Sequence, residues 1–123
     1  MQLNKTVLVI DDSAAIRMAI RRILERIGYT VDEAADGVEA LERVSASPSA
    51  VLCDIDMPQM DGLTFLRELR SRPAHTAVPV IMCTTHNSFD KIKEALSLGA
   101  NEYIMKPFDA DIIATKLAQC GVG

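Results

Sequence analysis

At 123 residues, with 49% apolar and 24% charged side chains, the chain has the size and balance of one folded domain and is neither disordered nor of low complexity. Its apolar runs are far too short to span a bilayer, and a formal net charge of -4 argues against general attraction to phosphate backbones. Three cysteines without paired spacing, and two isolated histidines, His75 and His86, supply neither a disulfide framework nor the clustered ligands of a zinc site.

The first residues, Met1-Gln2-Leu3-Asn4-Lys5, lead straight toward a strand and lack the apolar stretch and cleavage site of a secretory signal, so a cytoplasmic location is expected. Val7-Leu8-Val9-Ile10 is a continuous β-branched and aliphatic run, which reads as a strand buried on both faces, and it ends at Asp11-Asp12. From Ser13 the period becomes 3.6, with Ile16, Ile20, Ile23, Leu24 and Ile27 on one stripe, Ser13 as N-cap and Gly28 as stop. Arg17, Arg21, Arg22 and Arg26 lie opposite that stripe. They read as a solvated helix face, with Glu25 within pairing reach of Arg21 or Arg22, or as a docking surface for an acidic partner.

Tyr29 to Ala34 reads as a short strand. Asp36 and Glu39 stand at capping-box spacing at the head of the next helix, and Ser45 to Ser49, with Pro48, punctuates. The alternation continues with a strand from Ala50 to Asp54, a helix from Leu63 to Arg70 and a strand from Val78 to Cys83. A helix from Phe89 to Leu98, a strand from Asn101 to Met105 and a helix from Asp109 to Gln119 complete it, before a frayed end at Cys120-Gly121-Val122-Gly123. Five strands alternating with five helices predict a doubly wound five-stranded parallel sheet of flavodoxin-like layout, covered on both sides. No linker or repeat interrupts the pattern, so residues 1–123 read as one domain without an output domain. Cys53 and Cys83 fall inside central strands, where reduced thiols pack as small apolar groups.

In an open parallel sheet, ligands bind beyond the carboxyl ends of the strands. Asp11 and Asp12, Asp54, Thr84 and Lys106 all follow apolar runs and are therefore expected to converge on one crevice. Several like charges so close together are costly unless a cation sits among them, and oxygen-only ligands suit Mg²⁺. Lys106, held extended by the proline after it, and the hydroxyl of Thr84 are natural partners for phosphoryl oxygens. The set is a receptor for a transferred phosphoryl group.

Asp11-Asp12, the segment Asp54-Ile55-Asp56-Met57-Pro58-Gln59-Met60-Asp61-Gly62, Thr84, and Lys106-Pro107-Phe108, in this order, resemble the receiver domain of two-component response regulators across essentially the whole chain. The resemblance implies that Asp54 is the phosphoacceptor, taking its phosphoryl group from a phosphohistidine of a sensor histidine kinase. It further implies that Asp12 and Asp54 ligate Mg²⁺ by side chains, Asp56 by its carbonyl and Asp11 through water. Thr84 and Lys106 would bind phosphoryl oxygens, and the Lys106-Pro107 peptide is expected to be cis. Tyr103 matches the family's aromatic switch, coupled to movement of Thr84. Thr85 stands where the family usually keeps a very small residue. His86 and Asp56 match the family's variable positions that flank the water of self-dephosphorylation, where His86 would orient that water, meet the phosphoryl group when protonated, or point into solvent.

Cys83-Thr84-Thr85 and the segment from Gly99 to Asp109 look similar to CheY-like chemotaxis regulators. That implies a kinase of the CheA type and the flagellar motor switch as partners, a monomeric chain, and no nucleic-acid or membrane partner. A phosphate sink or a phosphorelay shuttle is the alternative role. Asp54-Ile55-Asp56 also resembles the two-aspartate signature of haloacid dehalogenase-type phosphohydrolases, but there that signature ends the first strand, and no cap for substrate is present here.

Overall fold

Along the first strand, Val7 and Val9 are buried in one apolar cluster while Leu8 and Ile10 are buried in another, so the run faces a core on each side of one sheet. This double burial is the reason the strands are continuous apolar runs rather than alternating ones. The computed structural model describes residues 5–55, 57, 60–84, 89–106 and 109–121. In chain order the elements are β1 (Thr6–Ile10), α1 (Ala14–Ile27), β2 (Thr30–Ala34), α2 (Gly37–Arg43), β3 (Ala50–Asp54), α3 (Gly62–Arg70), β4 (Val80–Thr84), α4 (Phe89–Ser97), β5 (Glu102–Met105) and α5 (Ala110–Gln119). Single 3-10 turns occupy Val44–Ala46 and Pro73–His75.

The sheet is parallel throughout, in the order β2-β1-β3-β4-β5, which is the doubly wound flavodoxin-like arrangement expected from the sequence. α1 and α5 cover one face through Ile20, Leu24, Ile113 and Leu117, which pack against Val7, Val9, Leu52, Ile81 and Ile104. The other face meets α2, α3 and α4 through Ala40, Phe65, Leu66, Leu69 and Ala95, over Leu8, Ile10, Val51, Cys53 and Met82. Each large apolar side chain buried in this way is worth about 1.5–3 kcal/mol. Among the described residues no helix is long and apolar enough to cross a membrane.

Local signals set the element ends. The Ser13 hydroxyl accepts the Ile16 amide, and the carboxylates of Asp36, Asp61 and Asp109 accept the amides of Glu39, Thr64 and Ile112, so each of four helices has one of its open amides satisfied. Gly28 closes α1 at φ 117°, a left-handed conformation that costs other residues a clash at Cβ. Several boundaries differ from those read in the sequence: β2, β5 and α5 start one residue later, at Thr30, Glu102 and Ala110, and α4 ends one residue earlier, at Ser97. α3 starts at Gly62, because Asp61 is its cap, and β4 runs from Val80 to Thr84 rather than from Val78 to Cys83.

Candidate functional site

The site follows from sheet register. Ile10 is the partner of Cys53, so Asp11 and Asp54, each the next residue, stand side by side where β1 and β3 end. Backbone pairing continues past those ends, with the Asp11 amide donating to the Ala34 carbonyl at 3.1 Å, Ile55 to Cys83 at 3.0 Å, and Lys106 to Thr84 at 2.8 Å. Side chains alternate along strands, so Asp11 after Ile10, Asp54 between Cys53 and Ile55, and Lys106 two beyond Ile104 all fall on the α1/α5 face. β1 feeds α1 on one side and β3 lies on the other, which makes this the switch point of the sheet.

Asp11 is almost fully buried, Asp54 is buried, and Thr84, at the end of the adjacent β4, is 1% exposed. One Asp11 carboxylate oxygen accepts the Ser13 amide at 2.9 Å, and the other accepts the Lys106 ammonium, also at 2.9 Å. The same ammonium lies 3.7 Å from Asp54 Oδ1. Burial pulls the Lys106 pKa down, but the hydrogen bond to Asp11 and the charges of Asp54 and Asp11 outweigh it, so the ammonium is held above its ordinary range. The buried Cys83 thiol, next to Thr84, is pushed up to about 12, chiefly by desolvation, and stays protonated.

Asp12 is exposed at the mouth, and one carboxylate oxygen from each of Asp11, Asp12 and Asp54 lies within 4.8 Å of the others. A divalent cation with oxygen ligands at about 2.1 Å spans at most about 4.2 Å between opposite ligands, so small side-chain adjustments bring all three into range. The donors are all oxygen, and Lys106 keeps the cluster from being wholly anionic. These residues fit a hard divalent cation.

A family model described as the response regulator receiver domain matches residues 7–118. The chain belongs to that family. Chemotaxis protein CheY1 of Helicobacter pylori (strain ATCC 700392 / 26695) is 39% identical to this receiver over 113 residues, covering 89% of the chain and 91% of that protein. Response regulator MprA of Mycobacterium ulcerans is 38% identical over 112 residues, covering 90% of the chain and 47% of that protein, so the receiver spans about half of that relative. Among solved structures, chemotaxis protein CheY4 of Vibrio cholerae superimposes with a TM-score of 0.91 at 32% identity, covering 96% of this chain and 99% of that one. The receiver domain of NtrX from Brucella abortus gives 0.85 at 30% identity, covering 95% and 99%.

In this receiver Asp11, Asp12, Asp54 and Lys106 come together as the sequence implies, with Thr84 at the end of the neighbouring strand. Asp56, Thr85, His86 and Pro107-Phe108, and with them the expected cis peptide, lie outside the described residues, as do residues 1–4 and 122–123 at the ends. Tyr103 is the Cα partner of Met82, two residues before the Thr84–Met105 pair, so Tyr103 and Thr84 share one face of the sheet. Its ring is half-buried, with the Lys116 ammonium 5.5 Å from the centroid, and Lys116 is in turn paired with Glu102 at 2.8 Å.

The basic face of α1 is more than a solvated surface. Arg17 and Arg21 both reach Glu33 on β2, and Arg17 also reaches the Asp11 carbonyl. Arg21 pairs with Glu25, as the helical spacing allows. The sequence carried one hint of this, since Arg17 lies one turn beyond the Ser13 cap and four residues before Arg21, on the end of α1 nearest the acids.

Proposed function

We propose that this receiver is a phosphorylation-activated switch in which Asp54 accepts a phosphoryl group from a phosphohistidine of a sensor histidine kinase. One observation carries the reading: Asp11, Asp12 and Asp54 gather at the carboxyl edge of the sheet, with the Lys106 ammonium against two of them. Mg²⁺ is the cation that the oxygen donors suit best, because it binds through few carboxylates and keeps positions for water and a phosphoryl oxygen. Asp12 and Asp54 would hold it by side chains, Asp56 by its carbonyl and Asp11 through water. When bound, it offsets the carboxylate repulsion and the charge on the transferring group.

An Asp54 carboxylate oxygen attacks phosphorus in line, a P–O bond forms, and the P–N bond breaks with its electron pair returning to the imidazole. Lys106 offers its ammonium to one phosphoryl oxygen and Thr84 its hydroxyl to another, so the protein mainly positions groups and neutralises charge. Thr84 drawn toward the phosphoryl group would free space on the face it shares with Tyr103, and rotation of that ring would remodel the surface of α4, β5 and α5.

The similarity to chemotaxis proteins along nearly their whole length supports a role in motor control, with a CheA-type kinase upstream, the flagellar motor switch downstream, and a monomeric cytoplasmic chain. The test is mass spectrometry after incubation with acetyl phosphate and Mg²⁺. The wild type gains one phosphoryl group, mapped to Asp54, and Asp54→Asn gains none. Labelling of another aspartate in the wild type would overturn the assignment. Capture of a motor switch protein only by the phosphorylated form supports the motor role, whereas onward transfer to a histidine phosphotransfer protein would replace it with a shuttle.

A further inference from the structure

Arg17 stands outside the acidic hollow yet touches its frame. Its Nη1 donates to the Asp11 carbonyl at 2.5 Å, and its Nε donates to Glu33 Oε1 at 2.9 Å. The second Glu33 oxygen accepts Arg21 Nε at 2.7 Å, and Arg21 continues to the Val31 carbonyl at 3.3 Å and to Glu25 at 3.2 Å. The Arg17 side chain is only 16% exposed. The Asp11 carbonyl belongs to the peptide that joins Asp11 to Asp12, so whatever fixes that oxygen fixes the direction in which Asp12 leaves the strand. A guanidinium can satisfy a carbonyl and a carboxylate at once through a rigid fork; an ammonium is a point charge on a flexible stem. The hydrogen bond from Arg21, and to a lesser degree that from Arg17, keeps the Glu33 carboxyl below its ordinary range against the opposing effect of burial, so Glu33 stays charged as the anchor of both arginines.

We propose that Arg17, anchored by Glu33, is a positioning residue that holds the Asp11–Asp12 peptide in the orientation that lets its two carboxylates share a divalent cation with Asp54. The inference rests on the cation-binding part of the proposed function and adds to it a residue that touches neither cation nor phosphoryl group. Arg21 is an internal control, because it uses the same Glu33 without contacting Asp11.

The experiment measures Mg²⁺ affinity by calorimetry, and thermal stability separately, for wild type, Arg17→Lys, Arg21→Lys and Glu33→Asp. Lysine retains the positive charge, so a change in affinity does not arise from altered charge near the cation. Arg17→Lys is expected to weaken Mg²⁺ binding about tenfold, the scale of losing a group that orients a ligand, and Glu33→Asp to weaken it in the same direction. Arg21→Lys is expected to leave affinity unchanged even where its melting temperature falls as far. Wild-type affinity in Arg17→Lys would overturn the inference, and so would equal weakening in Arg17→Lys and Arg21→Lys. If Arg17→Lys does not fold, the comparison of Glu33→Asp, which keeps the charge but withdraws the carboxylate from Arg17, with Arg21→Lys takes its place: weaker binding in Glu33→Asp alone supports the inference, and equal affinities overturn it. A wild-type protein that binds no Mg²⁺ would remove the cation site itself, a failure distinct from that of any variant.

Discussion

Asp12 is exposed, but its carboxylate shares a 4.8 Å neighbourhood with two buried ones. Without a cation this proximity is unfavourable, by about 1 kcal/mol after solvent screening. Asp12→Asn is therefore expected to raise the melting temperature of the metal-free protein by about 4 °C while abolishing most of the stabilisation that Mg²⁺ gives the wild type. Thermal unfolding with EDTA and with Mg²⁺ checks both halves, and a variant less stable than wild type in EDTA would contradict the repulsion argument. Lys106 has the opposite role. Its side chain is 11% exposed and balances Asp11 and Asp54, so Lys106→Met leaves buried carboxylates uncompensated, at a cost of about 3 kcal/mol. The folded-state pKa of Lys106 lies above its unfolded value, so this contribution is complete below the ordinary lysine pKa and is lost as pH rises through the folded one. Urea midpoints of wild type and Lys106→Met should thus converge in strongly alkaline solution, and a gap that widened with pH would contradict the pairing.

Elements place these residues only because α3 approaches β3 very closely. The Gly62 amide donates to the Ile55 carbonyl at 2.8 Å, and a Cβ on Gly62 would collide with the Asp54 carbonyl oxygen and stand 2.8 Å from Met82 Cε. The methionine end can move, but the carbonyl is backbone of the last residue of buried β3 and accepts the Cys53 thiol, so it cannot. Gly62→Ala is expected to cost about 2 kcal/mol although alanine favours helix, and to weaken Mg²⁺ binding by displacing the strand end that carries Asp54. Urea unfolding with a parallel Mg²⁺ titration measures both, and an alanine variant of wild-type stability would mean that α3 can back away freely. The sequence displayed the glycine but not this contact, and its poor helix propensity drew the expected start of α3 to Leu63. Strands were legible wherever double burial made continuous runs, as in Val7–Ile10 and Ala50–Cys53. At β4 the run misled by two residues, because Pro79 has no amide to pair and contributes only its carbonyl, to Val51, so strand pairing begins in earnest at Val80. The acids and Lys106 were legible because each ends a strand or stands just beyond one. The role of Arg17 was not, since it depends on the alignment of β2 beside β1, which puts Glu33 opposite Val9, and no local pattern encodes that alignment.

At the scale of the whole molecule, the central strands carry their own reporters of opening. Cys53 and Cys83 are free and buried on β3 and β4, where Cys53 is the partner of Ile10 in the first ladder and Cys83 the partner of Asp54 in the next. Desolvation raises both thiol pKa values, so neither supplies thiolate while the sheet is intact. Cys120, at the end of α5, is only half-buried. A thiol reagent should thus modify Cys120 in the folded protein and reach the other two only through openings that separate β1, β3 and β4, the same strands that assemble the acidic hollow. A cation bound between β1 and β3 must leave before they part, which lowers the open population by the factor 1 + [Mg²⁺]/Kd, about a hundredfold at a hundred times Kd. Labelling of Cys53 and Cys83, followed by mass spectrometry of peptides over time, should slow by that factor on addition of Mg²⁺, while labelling of Cys120 keeps its rate. Equal slowing at all three cysteines would point to an effect on the reagent, and unchanged labelling at Cys53 and Cys83 would mean that the strands separate without disturbing the cation, contrary to a site built from their ends.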